Sequence, residues 1–136
     1  MAVFLQNDVQ VTVNSVDLTD HVASITWTET ADELETTAMG DSNRTRIGGL
    51  KDGSVSIEFH QDFGASSVYA TLYSLLGTTT TVEMTPTSDA VAATNPKHSA
   101  SALVTELPII DGSVSDLATV SVTWPLSGAV TVSTAP

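Results

Sequence analysis

Apolar and polar residues alternate along most of this chain, and a helical period interrupts the alternation in one stretch only. Val9, Val11 and Val13 alternate with Gln10 and Thr12 as a short half-buried strand, and Asn14-Ser15 supplies turn chemistry after it. A second strand carries Ala23, Ile25 and Trp27 on one face and Ser24, Thr26 and Thr28 on the other. The cleanest alternation runs from Ser54 to Phe63, launched by Asp52-Gly53, with Val55, Ile57, Phe59 and Phe63 on the inward side. Between Gly64 and Gly77 the apolar positions Val68, Leu72, Leu75 and Leu76 fall at helical spacing. Ser66 as N-cap and Gly77 as C′ residue then bound a helix of about three turns over Ser66 to Leu76. Ala70, Thr71 and Ser74 face away from its apolar stripe.

Strands follow at Thr78 to Thr87, with Val82 and Met84 inward, and at His98 to Leu107, with Ala100, Ala102 and Val104 inward. The last main strand sets Ala118, Val120, Val122 and Trp124 on one face, and Pro125 closes it ahead of a tail over residues 127–136. The inward parity makes Trp27, Val55, Ile57, Phe59, Phe63, Leu72, Leu76, Val120, Val122 and Trp124 the expected core anchors. Asp111-Gly112-Ser113-Val114-Ser115 repeats the Asp52-Gly53-Ser54-Val55-Ser56 launch signal, as two hairpins with the same turn chemistry would. The whole reads as one mainly β domain, residues 1–136, of about seven strands with a single helix packed on a sheet.

The stretch from Glu29 to Lys51 fits none of these elements. Acids (Glu29, Asp32, Glu33, Glu35) lead into a turn-rich centre at Met39-Gly40-Asp41-Ser42-Asn43, and cations (Arg44, Arg46, Lys51) lead out. It is expected to project as an arm, either a hairpin folded about Gly40 and Asp41, which sets Glu35 opposite Arg46, or a mobile loop. Gly48-Gly49 offers a hinge at its return to the body.

Charge sharpens that picture. The 136 residues carry a net −12, yet three of the four cations lie between positions 44 and 51. With 41 % apolar and 15 % charged residues the composition is that of a folded chain, not an acidic disordered one. So acidic a surface argues against gripping nucleic acid or an anionic membrane. There is no cysteine, hence no disulfide or thiolate chemistry. Met1 to Gln10 has no signal-peptide pattern and no apolar run is long enough to span a bilayer, so the chain reads as soluble.

Catalytic signatures are missing. No P-loop, GxGxxG, HExxH or GxSxG occurs, and His21, His60 and His98 lie on separate elements. Asp17, Asp20 and His21 could ligate a cation, but acids at a bend more often form Asx turns. His60 and Asp62 share a polar strand face, which invites an acid–base pair, but no nucleophile or oxyanion donor accompanies them. Asn43-Arg44-Thr45 matches a glycosylation sequon that has no meaning without a secretory signal. No enzyme and no cofactor are expected. The strands carry few charges and few interior prolines, so their edges are suited to pairing with another subunit.

Four segments in order carry a family resemblance. They are Val16-Asp17-Leu18-Thr19-Asp20-His21-Val22; Arg46-Ile47-Gly48-Gly49-Leu50-Lys51-Asp52-Gly53 running into Val55 to Phe63; Ala93-Thr94-Asn95-Pro96-Lys97; and Asp116-Leu117-Ala118-Thr119 running into Thr123-Trp124-Pro125. Together they resemble the tail tube proteins of long-tailed, siphovirus-type bacteriophages, especially those of actinobacterial hosts. The resemblance implies an antiparallel β-sandwich or partly open barrel with one flanking helix. About six copies would form a ring, rings would stack into a tube, and the arm would reach a neighbouring ring. It implies a virion protein made in the host cytoplasm. Its partners would be itself and other tail proteins (tape measure, terminator, distal tail), and DNA would pass through the lumen unbound.

On that reading Glu29, Asp32, Glu33, Glu35, Arg44, Arg46 and Lys51 are candidate subunit-interface residues. The cations either dock on acidic surface of an adjacent copy or pair within the arm with Glu33, Glu35 and Asp41. Competing readings are an Ig-like adhesion or decoration module, a tail terminator or minor tail component, and a small hydrolase using His60 and Asp62.

Overall fold

A computed structural model describes residues 6–135; Met1 to Leu5, part of the amino-terminal stretch read above, and Pro136 lie outside them. Seven antiparallel strands form one sheet: β1 (Gln10–Val13), β2 (Val16–Asp17), β3 (Val22–Glu35), β4 (Arg46–His60), β5 (Thr79–Thr85), β6 (Lys97–Leu103) and β7 (Thr119–Ser133), in the order β2-β1-β5-β6-β7-β4-β3. The sheet coils without closing, and its two halves share one core. Val11, Val13, Val82, Ala102 and Val104 enter that core from one half and Val55, Ile57, Phe59, Val120, Val122 and Trp124 from the other, all buried. The inward positions of β1, of β4 within the body and of β7 up to Trp124 are Val, Ile or aromatic, which a pleated half-buried surface favours, while β6 presents Ala100 and Ala102.

β7 joins the halves. Its residues from Thr119 to Pro125 pair with β4, and from Leu126 to Ser133 it pairs with β6 instead. Pro125 therefore does not end the strand, and most of the expected tail is a strand segment. A residue without an N–H is tolerated where a ladder ends, and Pro125 marks that exchange of neighbours. Beyond it Ala100 faces three residues, 128–130, in a bulge where Gly128 takes φ +90°. Trp124 is fixed at the exchange by donating from Nε1 to the Glu106 carbonyl at 3.0 Å.

Local chemistry accounts for most of the remaining elements. Asn14 and Ser15, with φ of 51° and 66°, form the tight turn of the β1–β2 hairpin. A bulge near Ala23 lets Val22 as well as Ile25 and Trp27 pack on the core, and leaves Ala23 outside. Trp27 is half-buried and meets His98 edge-on, with ring centroids 6.1 Å apart. In the polar loop before β6 the buried Asn95 acts as hub: its amide donates to the Asp89 and Ala90 carbonyls and its oxygen accepts from the Thr87 N–H.

The helix is shorter than its sequence spacing predicts. An α-helix, α1 (Val68–Leu72), gives way to a 3₁₀ turn at Tyr73–Leu75. The tighter period brings Leu75 onto the core and rotates Leu76 away, leaving it 48 % exposed. Thr71, expected outside, is buried. Ser66 sits at φ +58° before the helix, and Ser67 takes the N-cap position. Phe63 is also misplaced by its spacing. β4 stops at His60 and the Asp62 carboxylate accepts from the Gly64 N–H, turning the chain, so Phe63 is 56 % exposed against Tyr69. Gly48-Gly49 and Asp52-Gly53, read as hinge and turn, both lie inside β4.

Candidate functional site: a projecting β-hairpin

β3 and β4 outrun the core. From Thr28 to Asp52 every residue is exposed except Gly49, so the two strands leave the body together as a hairpin. Seven residues of strand carry its tip roughly 24 Å outward. The ladder continues to Glu35 opposite Arg46, which makes the arm the hairpin alternative and not the mobile loop. Its tip is tied by Thr36 N–H to the Thr45 carbonyl (2.8 Å), by Ala38 N–H to the Asp41 carboxylate (2.8 Å), and by Gly40 at φ +92°.

A second bulge divides the chemistry of the arm by face. Ala31 pairs with Lys51 but Glu33 with Gly48, so Asp32 opposes both Gly49 and Leu50. One face then gathers Glu29, Glu33, Glu35, Arg46 and Lys51, continuing the side that is inward in the body. The opposite face gathers Leu34, Ile47 and Leu50, with Asp32 among them. A Cβ on Gly49 would come within 3.2 Å of Leu34 and 3.1 Å of the Asp32 Cβ, which places Gly49 on that same face. Leu34 and Ile47 are direct cross-strand partners, 49 % and 58 % exposed, and Leu50 is 81 % exposed. Met39 projects from the tip, fully exposed.

The arm's charges are largely satisfied within it. Arg44 meets Glu35 at 3.1 Å and Arg46 pairs with Glu33. The Asp41 carboxylate is engaged by the tip backbone, while Lys51 has no ion-pair partner among the described residues. The apolar face was legible in principle: once Glu35 stands opposite Arg46, Leu34 must stand opposite Ile47.

At the arm's root β4 and the second half of β7 diverge around a cleft of about 590 Å³, lined by Glu29, Lys51, Gly53 and Leu126 among others. The far pole of β4 is apolar as well. Phe63, Tyr69 and Tyr73 form a stack with successive centroids 5.0 and 5.1 Å apart. Gln61 ties the loop bearing Ile109 and Ile110 to the end of β4 by donating to the Ile109 carbonyl at 2.6 Å.

The acid–base candidates are rearranged. Asp62 is not paired with His60; its Oδ2 lies 2.8 Å from His21 Nε2, and Ser67 Oγ is 3.2 Å from the same nitrogen. A proton relay needs serine and carboxylate on opposite ring nitrogens, and here they share one. The Gly64 N–H, then Ser67 and His21, hold the Asp62 carboxyl below its ordinary range. Asp17 accepts from the Thr19 N–H at 2.9 Å as an Asx turn. Among the described residues no three His, Cys, Asp or Glu side chains converge on a metal-sized site.

No protein-family model and no curated protein sequence matches the chain. Solved structures do match its fold. A chain from the tail of an empty gene transfer agent particle, solved with helical refinement in C6 symmetry, superposes with TM-score 0.66 at 14 % identity, covering 83 % of this chain and 82 % of that one. A chain from the virion of a native gene transfer agent particle superposes with TM-score 0.75, also at 14 % identity, over 95 % of this chain and 99 % of that one. At such identity the likeness is one of fold.

Proposed function

We propose that this chain is a structural subunit of a phage-like tail, self-assembling into stacked rings, about six copies each, around a lumen through which DNA passes. The observation that carries the reading is the long hairpin outside the core, built on a fold shared end to end with a virion chain. A hairpin with solvent on both faces contributes little to its own domain, so its length is explained by a partner. A subunit of the tail tube of a siphovirus-type particle is the specific form of the proposal, with a structural rather than catalytic role.

Charge supports the lumen. With a net −12 and a Ser/Thr-rich outer sheet face, where Ser56 and Thr123 share a 2.9 Å hydrogen bond, the surface has few cations to hold a phosphate backbone. Sedimentation velocity on the purified chain tests the proposal. Large, concentration-dependent species are expected, and a single species of monomer mass at all concentrations would contradict it.

A further inference from the structure

The sheet ends at β2 on one side and at β3 on the other, and the turn Thr19–His21 carries the chain between these two edges. The ladder of β3 to β4 is regular from Ser24 to Ala31. In such an antiparallel ladder both backbone groups of every second residue point away from the partner strand. The Ile25 carbonyl accepts from the Gln6 side-chain amide at 3.2 Å on the side away from β4, so Ile25, Trp27, Glu29 and Ala31 all turn their backbone groups to that side. Among the described residues Gln6 alone hydrogen-bonds to this row. From Val22 to Thr28 the strand has neither a charge nor a proline, two devices that keep an edge from pairing.

Residues 6–9 stand in for those devices. They run beside the crossing turn into β1 and are anchored at three points. Gln6 holds Ile25; the Asp8 carboxylate accepts from the Ser88 N–H at 3.0 Å and from the Ser88 hydroxyl; Val9 packs on the core. Both polar anchors are exposed, and a cavity of about 330 Å³, lined also by Thr19 and Asp20, lies between the segment and Val22 to Ile25. A cover held by exposed side-chain bonds over unfilled space opens far more readily than a buried ladder of backbone bonds. Resting on the tail reading above, we propose that residues 6–9 are a releasable strap: seated, they block the β3 edge, and that edge takes a strand of a second copy only once the strap has lifted. A second copy has a strand to offer, because β7 beyond Pro125 pairs with β6 on one side and, among the described residues, with no strand on the other. The strap thus shields the lone molecule and delays its joining to copies of itself.

The absence of cysteine makes the strap directly testable. Asp8→Cys with Ser88→Cys replaces two short side chains that already meet, so that oxidation locks the strap and reduction frees it. Assembly is followed by light scattering. The oxidised chain is expected to assemble at least tenfold more slowly than the same chain reduced, with Asp8→Ala, which removes the anchor, several-fold faster than the parent. Equal rates for the locked and reduced chains would overturn the proposal and leave the tail reading standing. A cysteine pair that stays reduced under oxidant would overturn it too, by showing that the strap does not rest on Ser88. The second measurement is amide hydrogen exchange over Val22 to Trp27 at concentrations too low for assembly. Faster exchange in Asp8→Ala than in the parent, with melting unchanged, is expected; equal exchange would overturn the strap whatever the assembly rates. If neither the parent nor any variant assembles, the tail reading falls and the strap's role in joining copies falls with it.

Discussion

Gly53 marks the point where the body ends and the arm begins. A Cβ there would lie 2.9 Å from Leu126 Cδ1 and 2.9 Å from the Thr28 carbonyl oxygen, and the second of these is backbone that cannot swing away. Gly53→Ala is expected to lower stability by about 1–3 kcal/mol through overpacking, read as a reduced denaturant midpoint at constant m. Asp62 is a residue-scale latch of another kind, linking the turn before β3 to the segment entering α1 through His21 and Ser67. Its carboxyl is held below the ordinary range, so its contribution is present above the unfolded carboxylate pKa and is lost as pH falls through the lower folded pKa. Asp62→Asn should therefore melt below the parent chain at neutral pH, with the gap closing on acidification. A gap independent of pH would mean that the charge has no part in it.

On the proposed reading the arm is the element on which structure and function meet, and its charged pairs hold it together locally. Exposed ion pairs are worth about 0.2–1 kcal/mol each, enough to hold a hairpin's register though not to fold it. Arg46→Glu sets three acids near one another on one face and should fray the arm. The exchange Glu33→Arg with Arg46→Glu restores the pair and should restore assembly. If the exchange variant assembles no better than Arg46→Glu alone, the cation acts on a neighbouring molecule instead. The hairpin register was readable from charge order and turn residues, because Glu35 opposite Arg46 satisfies both. The strand parities around Val55, Ile57, Val120 and Trp124 were readable for the same local reason. Misreadings arose where a non-local neighbour decides the outcome. Asp-Gly-Ser-Val-Ser occurs twice, once inside β4 and once in the loop ahead of β7, and only the presence of a pairing strand separates the two. β7 likewise runs on past Pro125 because β6 is there to receive it. The bulge that gathers Leu34, Ile47 and Leu50 on one face depends on register, which composition alone does not carry.

For the whole molecule, one core serves both halves of the sheet while the arm extends beyond it into solvent. On the proposed reading the exposed hairpin is the surface through which the chain joins copies of itself. On that same reading the net −12 suits a passage for DNA, whose wall should offer phosphate few cations to bind. Cryo-electron microscopy of the purified chain at concentrations where it sediments as large species tests self-assembly most directly. Stacked annuli of about six subunits, with each hairpin crossing into the adjacent layer, are the predicted image. Separate globules of single-chain size, their hairpins free in solvent at every concentration, would contradict it.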